Sequence, residues 1–276
     1  MKNRTPRAAD VVRSAQHPIV KEARRLDVDA GARRREEKGV AWGRHLALEA
    51  LAAGVPIETA LFSPGLEKDD EGTRIAAAIA RTGARVVRVT PSLLDGIAAG
   101  AGDQGVALVV RRPGTTLDDL LAPGPSLLLV AHGIQDPGNL GSILRSARSL
   151  GAEGVAVLEG SADPWSSRAL RAAMGATFRL RVVEATAARV LPRLTQAGLG
   201  LVAAVSTAGT TPDRIDLKSP VALLLGREGS GLPEDLIAAA RDRVRIPMSP
   251  GADSLNVHAA AAILLYEVHR QRSAGG

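Results

Sequence analysis

The sequence of 276 residues contains no cysteine and very few aromatic side chains. Without cysteine, disulfide bonds, thiolate metal ligands and a cysteine nucleophile are all excluded. The five histidines are scattered, without the paired spacing of metal ligands, so we expect no metal ion. Aromatic residues make up only 2% of a chain that is 45% hydrophobic, so the core must be built from Ala, Val, Leu and Ile.

Long hydrophobic runs are also missing. The longest apolar run, near Ala259–Tyr266, is well short of the roughly 18 residues that a membrane span needs. The opening residues Met1-Lys2-Asn3-Arg4 lead into no apolar stretch of the kind found in secretory signal peptides. We therefore expect a soluble cytoplasmic protein with no membrane partner.

The positive charge of the chain is confined to its N-terminal part. Residues 1–45 hold 12 Lys/Arg against 6 Asp/Glu, which accounts for the whole formal charge of +6. We interpret residues 1–38 as a basic arm followed by a charged helix over residues 18–38. Such an arm is typical of proteins that bind a polyphosphate such as RNA. The alternative is a solvated tail without a partner.

The rest of the chain predicts two α/β domains, over residues 39–112 and 126–276. Three Pro and two Gly over residues 113–125 favour a linker between them. In the larger domain, continuous apolar runs predict parallel strands covered on both faces. Elements predicted for the smaller domain are strands at 58–63, 85–90 and 105–110 and helices at 46–53, 73–81 and 91–98. Those for the larger domain are strands at 126–131, 154–158, 201–205, 221–225 and 244–246 and a last helix at 256–272.

A first candidate site is the turn Asp136-Pro137-Gly138-Asn139, which opens a helix running to about Leu150. Apolar residues share one face of this helix, whereas Arg145 and Arg148 lie on the other. Backbone N–H groups at such a strand–turn–helix junction, together with the two arginines, suit an anionic ligand. A surface helix with two solvated arginines is the alternative.

Two further candidates lie near the C-terminus. Gly226, Gly229 and Gly231 follow an apolar strand, and glycine lets a backbone approach a ligand closely. The loop matches neither the dinucleotide fingerprint nor the phosphate-binding P-loop, and Glu228 within it is unfavourable for a triphosphate. The other candidate is Ile246-Pro247-Met248 followed by Ser254-Leu255-Asn256-Val257. Here Ser254 or Asn256 is a good helix N-cap, which alone would explain either residue.

The order and spacing of these motifs resemble a known family. Asn139 and Arg145, then Gly226-x-Glu228-Gly229-x-Gly231, then Ile246-Pro247-Met248 with Ser254-Leu255-Asn256-Val257 are similar to the three signature motifs of the SpoU family. These proteins are RNA ribose 2′-O-methyltransferases of the SPOUT superfamily. The resemblance covers residues 126–272, including Arg168–Phe178, and more weakly residues 40–110. There Trp42-Gly43 replaces the Glu-Gly of many relatives.

The resemblance implies a fold, a cofactor and partners. The C-terminal parallel α/β domain would contain a deep trefoil knot, follow a small α/β RNA-binding domain and form a homodimer. The substrate would be RNA, with ribosomal RNA favoured and transfer RNA as the alternative, and S-adenosylmethionine would be the methyl donor. The cofactor-binding residues implied are Ser206, Gly226, Gly229, Ile246, Met248 and Leu255. The catalytic residues implied are Arg145, Asn139, Glu228, Ser254 and Asn256, with Glu228 orienting Arg145 or the knotted loops.

Two other functional classes remain as alternatives. A non-catalytic RNA-binding protein could keep the same fold, but the motif residues are intact here. A doubly wound dehydrogenase would need a glycine-rich fingerprint after the first strand of the larger domain, where this chain has Gln135-Asp136-Pro137-Gly138-Asn139. Two histidines, His132 and His258, lie near these motifs, and we expect both to be structural.

Overall fold

The structure is a computed structural model that describes residues 11–97, 105–251 and 254–273. The chain forms two compact units: the first consists of Met1–Gly114 with Trp165–Phe178, and the second of Thr115–Pro164 with Arg179–Gly276. No helix in the described ranges is both long enough and apolar enough to cross a membrane.

The helices and strands follow one another in a mixed order. Up to Gly114 they are α1 (Pro18–Val28), α2 (Ala30–Glu36), β1 (Lys38–Trp42), α3 (Arg44–Ala52), β2 (Ile57–Phe62), α4 (Asp70–Arg81), β3 (Arg85–Arg88), α5 (Pro91–Ile97) and β4 (Val106–Arg111). Beyond it they are α6 (Leu117–Leu121), β5 (Leu127–Ala131), α7 (Pro137–Ser149), β6 (Gly154–Val157), α8 (Ser167–Ala173), β7 (Arg181–Glu184), α9 (Ala187–Gln196), β8 (Gly200–Ala204), β9 (Val221–Leu225), α10 (Glu234–Ala239), β10 (Asp242–Val244) and α11 (Val257–Ser273).

The first unit is built on a mixed four-stranded sheet with the order β1-β4-β2-β3. β4 pairs antiparallel with both β1 and β2, and β3 runs parallel to β2. Successive side chains of a strand point to opposite faces. Leu108 and Val110 of β4 therefore belong to one hydrophobic cluster, and Ala107 and Val109 to another. The sheet is thus covered on both faces, and the predicted small α/β domain is confirmed.

The predicted helix over residues 18–38 is wrong in its extent, because two helices and the start of a strand occupy these residues. The break lies at Asp29, whose side chain accepts a hydrogen bond from the Ala32 N–H and caps α2. Glu37 then adopts a left-handed conformation with φ of 53°, after which β1 begins. The helix α1 is also not part of a separate N-terminal arm, because it packs into the core of the first unit. Its buried residues are Ile19, Val20, Ala23 and Leu26.

The predicted linker at residues 113–125 is also only partly correct, because it contains the helix α6. Thr116 and Asp119 form a reciprocal capping box at its start. Leu117 and Leu120 are buried in the core of the second unit. The Thr-x-x-Asp spacing in the sequence is a helix-capping signal, whereas the flanking Pro and Gly residues are typical of a linker.

Residues 165–178 lie inside the predicted larger domain but pack in the first unit. Trp165, Leu170 and Phe178 are buried in the same cluster as Ile75 and Leu108. Trp165 also lies beneath the guanidinium of Arg112, whose Cζ atom is 5.5 Å from the ring centre. The position of these residues in the sequence does not predict this packing, because the packing depends on the path of the chain in the folded protein.

The second unit is an all-parallel sheet with the order β10-β8-β9-β5-β6-β7. This confirms the parallel sheet predicted from the continuous apolar runs. β5 and β9 are buried along their whole length, as expected for strands covered on both faces. The chain runs outward from β5 to β7 and then returns on the other side, so the strand order reverses beside β5. Such reversals create crevices at the carboxyl ends of parallel strands.

The edges of this sheet were predicted less well than its centre. β7 was missed, because only Val183 of its four residues is buried. The strand predicted at 244–246 lies two residues earlier, as β10 at Asp242–Val244. An edge strand has a neighbouring strand on one side only and carries more polar residues, so its hydrophobic pattern is weak.

The last helix, α11, lies where it was predicted. Val257, Ala261, Leu264, Leu265 and Val268 are buried along one stripe. At its far end the buried Gln271 donates from Nε2 to the carbonyls of Pro212 and Ile215, each at 3.1 Å, and accepts from the Leu217 N–H at 3.1 Å. Gln271 therefore fastens the C-terminal end of the chain to the loop before β9.

We predict that Gln271→Leu lowers the free energy of unfolding of the second unit by about 3 kcal/mol. The substitution keeps the buried volume but removes three hydrogen bonds, from the Leu217 N–H and to the Pro212 and Ile215 carbonyls, of which Pro212 alone keeps a second donor, the Ile215 N–H. Urea unfolding followed by circular dichroism measures the change. Tryptophan fluorescence reports on the first unit alone, because both Trp42 and Trp165 lie there.

His269→Ala is the matched control for this prediction. His269 is an exposed residue of the same helix turn, and its loss is expected to change stability by less than about 0.5 kcal/mol. Equal effects of the two substitutions would contradict the anchoring role of Gln271.

Candidate active site

A closed loop follows β9 and is shaped by its glycines. Arg227 and Gly231 exchange two backbone hydrogen bonds, at 3.1 and 2.9 Å between nitrogen and oxygen, so the loop folds back on itself. Gly229 and Gly231 have φ of 85° and 70°, which favours glycine. A Cβ on Gly226 would lie 2.3 Å from the carbonyl carbon of Gly231 and from the nitrogen of Leu232. Only glycine at position 226 therefore allows the loop to close this way.

This loop forms one wall of a cavity of about 330 Å³ at the carboxyl ends of β8, β9 and β10. Residues just before and within the first turns of α11 form the facing wall. All six residues implied as cofactor-binding line the cavity: Ser206, Gly226, Gly229, Ile246, Met248 and Leu255. Glu228, Ser254 and Asn256 line it as well. A mainly apolar cleft with a few convergent polar groups suits a small organic molecule.

Four further apolar residues of the wall were not anticipated from the sequence. Val205, Val244, Ala260 and Leu264 all face the cavity. In the sequence, these residues can be recognised only as apolar residues at the ends of strands or on the apolar face of a helix. Ordinary core residues occupy the same kinds of position, so the sequence does not distinguish a residue of the cavity wall from a residue of the core.

A chain of side-chain hydrogen bonds joins the three motifs. Asn139 donates from Nδ2 to Oε1 of Glu228 at 2.7 Å and accepts at Oδ1 from Nδ2 of Asn256 at 3.1 Å. The Oδ1 atom of Asn256 accepts the backbone N–H of His258 at 2.9 Å, which makes Asn256 the N-cap of α11. The start of α7, the glycine loop and the start of α11 are thus held together by amide and carboxylate groups.

Arg145 lies apart from this hydrogen-bonded chain. It is exposed on α7 and makes no hydrogen bond or ion pair within the part of the chain that the structure describes. Glu228 was expected to orient Arg145 or the loops around the site; it bonds to Asn139 and not to Arg145. The structure leaves the guanidinium of Arg145 available to a ligand.

Two further contacts were not anticipated from the sequence. Arg227 donates from Nη2 to Oε1 of Gln135 at 2.7 Å and so ties the glycine loop to the turn before α7. Ser146 Oγ and His258 Nε2 lie 3.0 Å apart, which gives α7 and α11 a second polar contact. His258 was expected to be structural, and its contact is indeed with a helix neighbour and not with the cavity.

Comparisons with known proteins give consistent matches. Residues 126–266 match the SpoU rRNA methylase family, and residues 40–115 match a domain described as RNA 2′-O ribose methyltransferase substrate binding. An uncharacterized tRNA/rRNA methyltransferase of Mycolicibacterium vanbaalenii is 34% identical over 93% of this chain and 84% of its own length.

Solved structures are similar over nearly the whole chain. An AdoMet-bound rRNA methyltransferase from Sinorhizobium meliloti superposes with a TM-score of 0.84 at 30% identity, over 94% of this chain and 97% of that one. An RNA 2′-O ribose methyltransferase superposes with a TM-score of 0.81 at 35% identity, over 95% of this chain and 99% of that one.

We predict that Gly226→Ala lowers the free energy of unfolding of the second unit by about 2 to 3 kcal/mol, because the new Cβ meets backbone atoms that cannot yield without opening the loop. Urea unfolding followed by circular dichroism measures the loss. Gly198→Ala is the control: its φ is 84°, but nothing lies within 4 Å of the added Cβ. The control should cost about 1 kcal/mol from backbone strain alone, and a Gly226→Ala variant no less stable than this control would disprove the close-packing argument.

Proposed function

The chain belongs to the SpoU family of RNA methyltransferases, and we propose that it transfers a methyl group from S-adenosylmethionine to a ribose 2′-hydroxyl of RNA. The observation that carries this proposal is the single cavity that gathers all six implied cofactor residues. Asn139, in the first turn of α7, hydrogen-bonds to Glu228 and Asn256, which both line this cavity. Arg145 lies on the same helix.

The residues of the cavity fit such a cofactor. Its volume of about 330 Å³ lies in the range of small-molecule sites. Ile246, Met248 and Leu255 offer apolar surface for a flat adenine ring. Gly226 and Gly229 expose backbone groups that can hydrogen bond to its edge or to the ribose. S-adenosylmethionine supplies an activated methyl group when bound, so the protein needs to provide alignment and charge rather than a metal.

Arg145 is the residue that we assign to the reacting hydroxyl. Two roles were open for it: a general base, or a charged group that binds the neighbouring phosphate and stabilises the developing alkoxide. Deprotonating an ordinary arginine at pH 7 costs on the order of 8 kcal/mol from its reference pKa. The exposed position of Arg145 favours the phosphate-binding role, because its guanidinium has no partner among the described residues and is free to pair with phosphate.

The remaining motif residues would shape the site. Asn139 would place the start of α7 against the glycine loop, with Glu228 as its anchor. Asn256 would do the same for α11 and also caps that helix, so it combines a structural and a positioning role. Ser254 is exposed at the cavity rim, where it would contact the substrate ribose.

The substrate and assembly follow from the resemblance and from the relatives. We propose ribosomal RNA as the substrate, in line with the rRNA methyltransferase from Sinorhizobium meliloti, and the first unit as the RNA-binding domain. A trefoil knot, a homodimer and a cytoplasmic location are part of the same proposal. Calorimetric titration with S-adenosylmethionine and its demethylated product, with NAD and ATP as controls, is the direct test. Methylation of unmodified ribosomal and transfer RNA then identifies the substrate.

We predict that Arg145→Ala lowers kcat for methyl transfer by more than about 100-fold while the Kd for S-adenosylmethionine stays within twofold. Arginines that stabilise charge in a transition state contribute on this scale. Methyl incorporation into RNA and calorimetry provide the two measurements. Arg148→Ala is the matched control, since Arg148 is equally exposed one turn further along α7. A loss of cofactor binding in Arg145→Ala, or an equal defect in Arg148→Ala, would refute the assigned role.

We predict that neutralising exposed basic residues of the N-terminal segment weakens RNA binding about tenfold at low salt and makes it less salt-dependent. Substitution is the proper test, because α1 supplies core residues and deletion would expose them. The variant replaces Arg13, Lys21 and Arg34 by glutamine, and the control replaces Arg189, Arg214 and Lys218, which are exposed residues of the second unit. Filter binding over a range of salt concentrations measures both; equal losses would mean that the N-terminal segment is only a solvated basic surface.

A further inference from the structure

The hydrogen-bonded chain of the site continues past the signature motifs to His258 and Ser146. From Glu228 it runs through Asn139 and Asn256 to the backbone of His258, whose ring Nε2 lies 3.0 Å from Ser146 Oγ. His258 is therefore held at both its backbone and its side chain. Neither His258 nor Ser146 lines the cavity, and neither is a motif residue.

The two contacts between α7 and the start of α11 are well separated along α7. Asn139 and Ser146 are seven residues apart, so they lie on the same face two turns from each other, about 10 Å along the axis. The Asn139–Asn256 contact is a polar contact at the first turn of α7 only. Further along, the buried Ile143, Leu144 and Ala147 hold the helix by apolar packing. The Ser146–His258 bond adds a directional polar contact at the residue that follows Arg145.

His258, one of the two residues of the Ser146–His258 contact, directly follows residues of the cavity wall. His258 follows Val257, which together with Leu255 and Asn256 lines the cavity. The imidazole is partly buried between the helices. His258 therefore links the end of the cavity wall at Val257 to Ser146, the residue that follows Arg145.

We propose that His258 is a positioning residue for methyl transfer, which pins the middle of α7 to the cavity wall and so fixes Arg145 relative to the bound cofactor. This inference rests on the proposed function. His258 does not contact the reacting atoms; it acts through Ser146. Both partners are uncharged in the contact when the imidazole is neutral, and either atom can then donate.

The experiment compares five variants of the full-length protein, one of them the double variant of Ser146→Ala with His258→Ala. His258→Ala and Ser146→Ala each remove the contact from one side, and His258→Gln keeps a polar side chain that can reach Ser146. His269→Ala is the control, an exposed histidine of the same helix whose loss should change nothing. Each is measured by hydrogen exchange of the α7 amides, by the Kd of S-adenosylhomocysteine, and by kcat and KM with transcribed large-subunit ribosomal RNA.

We expect His258→Ala to speed exchange of the amides of residues 143–149 about fivefold, the effect of one lost hydrogen bond. We also expect kcat to fall on the order of tenfold, because small misplacements of a catalytic group are costly. The Kd for S-adenosylhomocysteine and the KM for RNA should stay within twofold. Ser146→Ala should match His258→Ala, their effects should not add in the double variant, and His258→Gln should restore most of kcat.

Several results would overturn the proposal. These are unchanged exchange of α7 in His258→Ala, additive effects in the double variant, or a fall in cofactor affinity as large as the fall in kcat. A purely structural histidine would change stability without the split between kcat and KM. If the unaltered protein methylated no RNA, the proposed function would fail, whereas the exchange measurement would still decide whether His258 pins α7.

Discussion

The close backbone crossing at Gly226 is the constraint on which the site depends. Because this residue has no Cβ, the chain leaving β9 can return within contact distance of itself at Gly231 and Leu232. The closed loop then presents Glu228 toward Asn139 and its backbone toward the cavity. A wider loop would carry Glu228 away from α7 and leave the start of that helix without its anchor. The closure of the loop, the shape of the cavity wall and the position of α7 thus all depend on the absence of a Cβ atom at Gly226.

Hydrogen bonds of asparagine amides, rather than ion pairs, hold the site together. Asparagine amides make two contacts between its elements and one cap at the start of α11, and Glu228 is the one ionised group in these three bonds. Amide groups have fixed donor and acceptor directions, so they specify orientation as well as distance. This leaves the arginine of α7 outside the network. The protein thereby separates the residues that set geometry from the residue that carries charge.

The sequence predicted the centre of each unit better than its edges. The apolar runs that became β5, β6, β8 and β9 are covered on both faces, and this gave them a clear signal. β1 and β7 were missed because a short strand with polar neighbours does not differ from a loop in composition. The break at Asp29 was missed although Asp27, Val28 and Gly31 beside it are weak helix formers, because the Lys, Arg and Glu residues further out favour a helix and only a capping hydrogen bond marks the boundary.

For the candidate site, the motif residues could be named from the sequence, but their contacts could not. Glycine spacing predicted a loop, yet the pairing of Glu228 with Asn139 joins residues 89 positions apart and depends on how β9 lies beside β5. The Ser146–His258 contact is of the same kind, across 112 positions. A histidine in the first turn of a helix has no pattern that separates a solvated residue from one that bridges two helices.

The exposure of Arg145 limits the chemistry that this site can perform. A general base must lose its proton before the reaction, and arginine does so only where burial or neighbouring positive charge opposes its charged form. Arg145 is exposed, and α7 turns its apolar face, not its arginines, toward the core. The nearest acidic group of the network, Glu228, is occupied by Asn139. An exposed Arg145 without a partner among the described residues is therefore placed to meet a phosphate or a developing negative charge on the substrate, in keeping with the role that we propose for it.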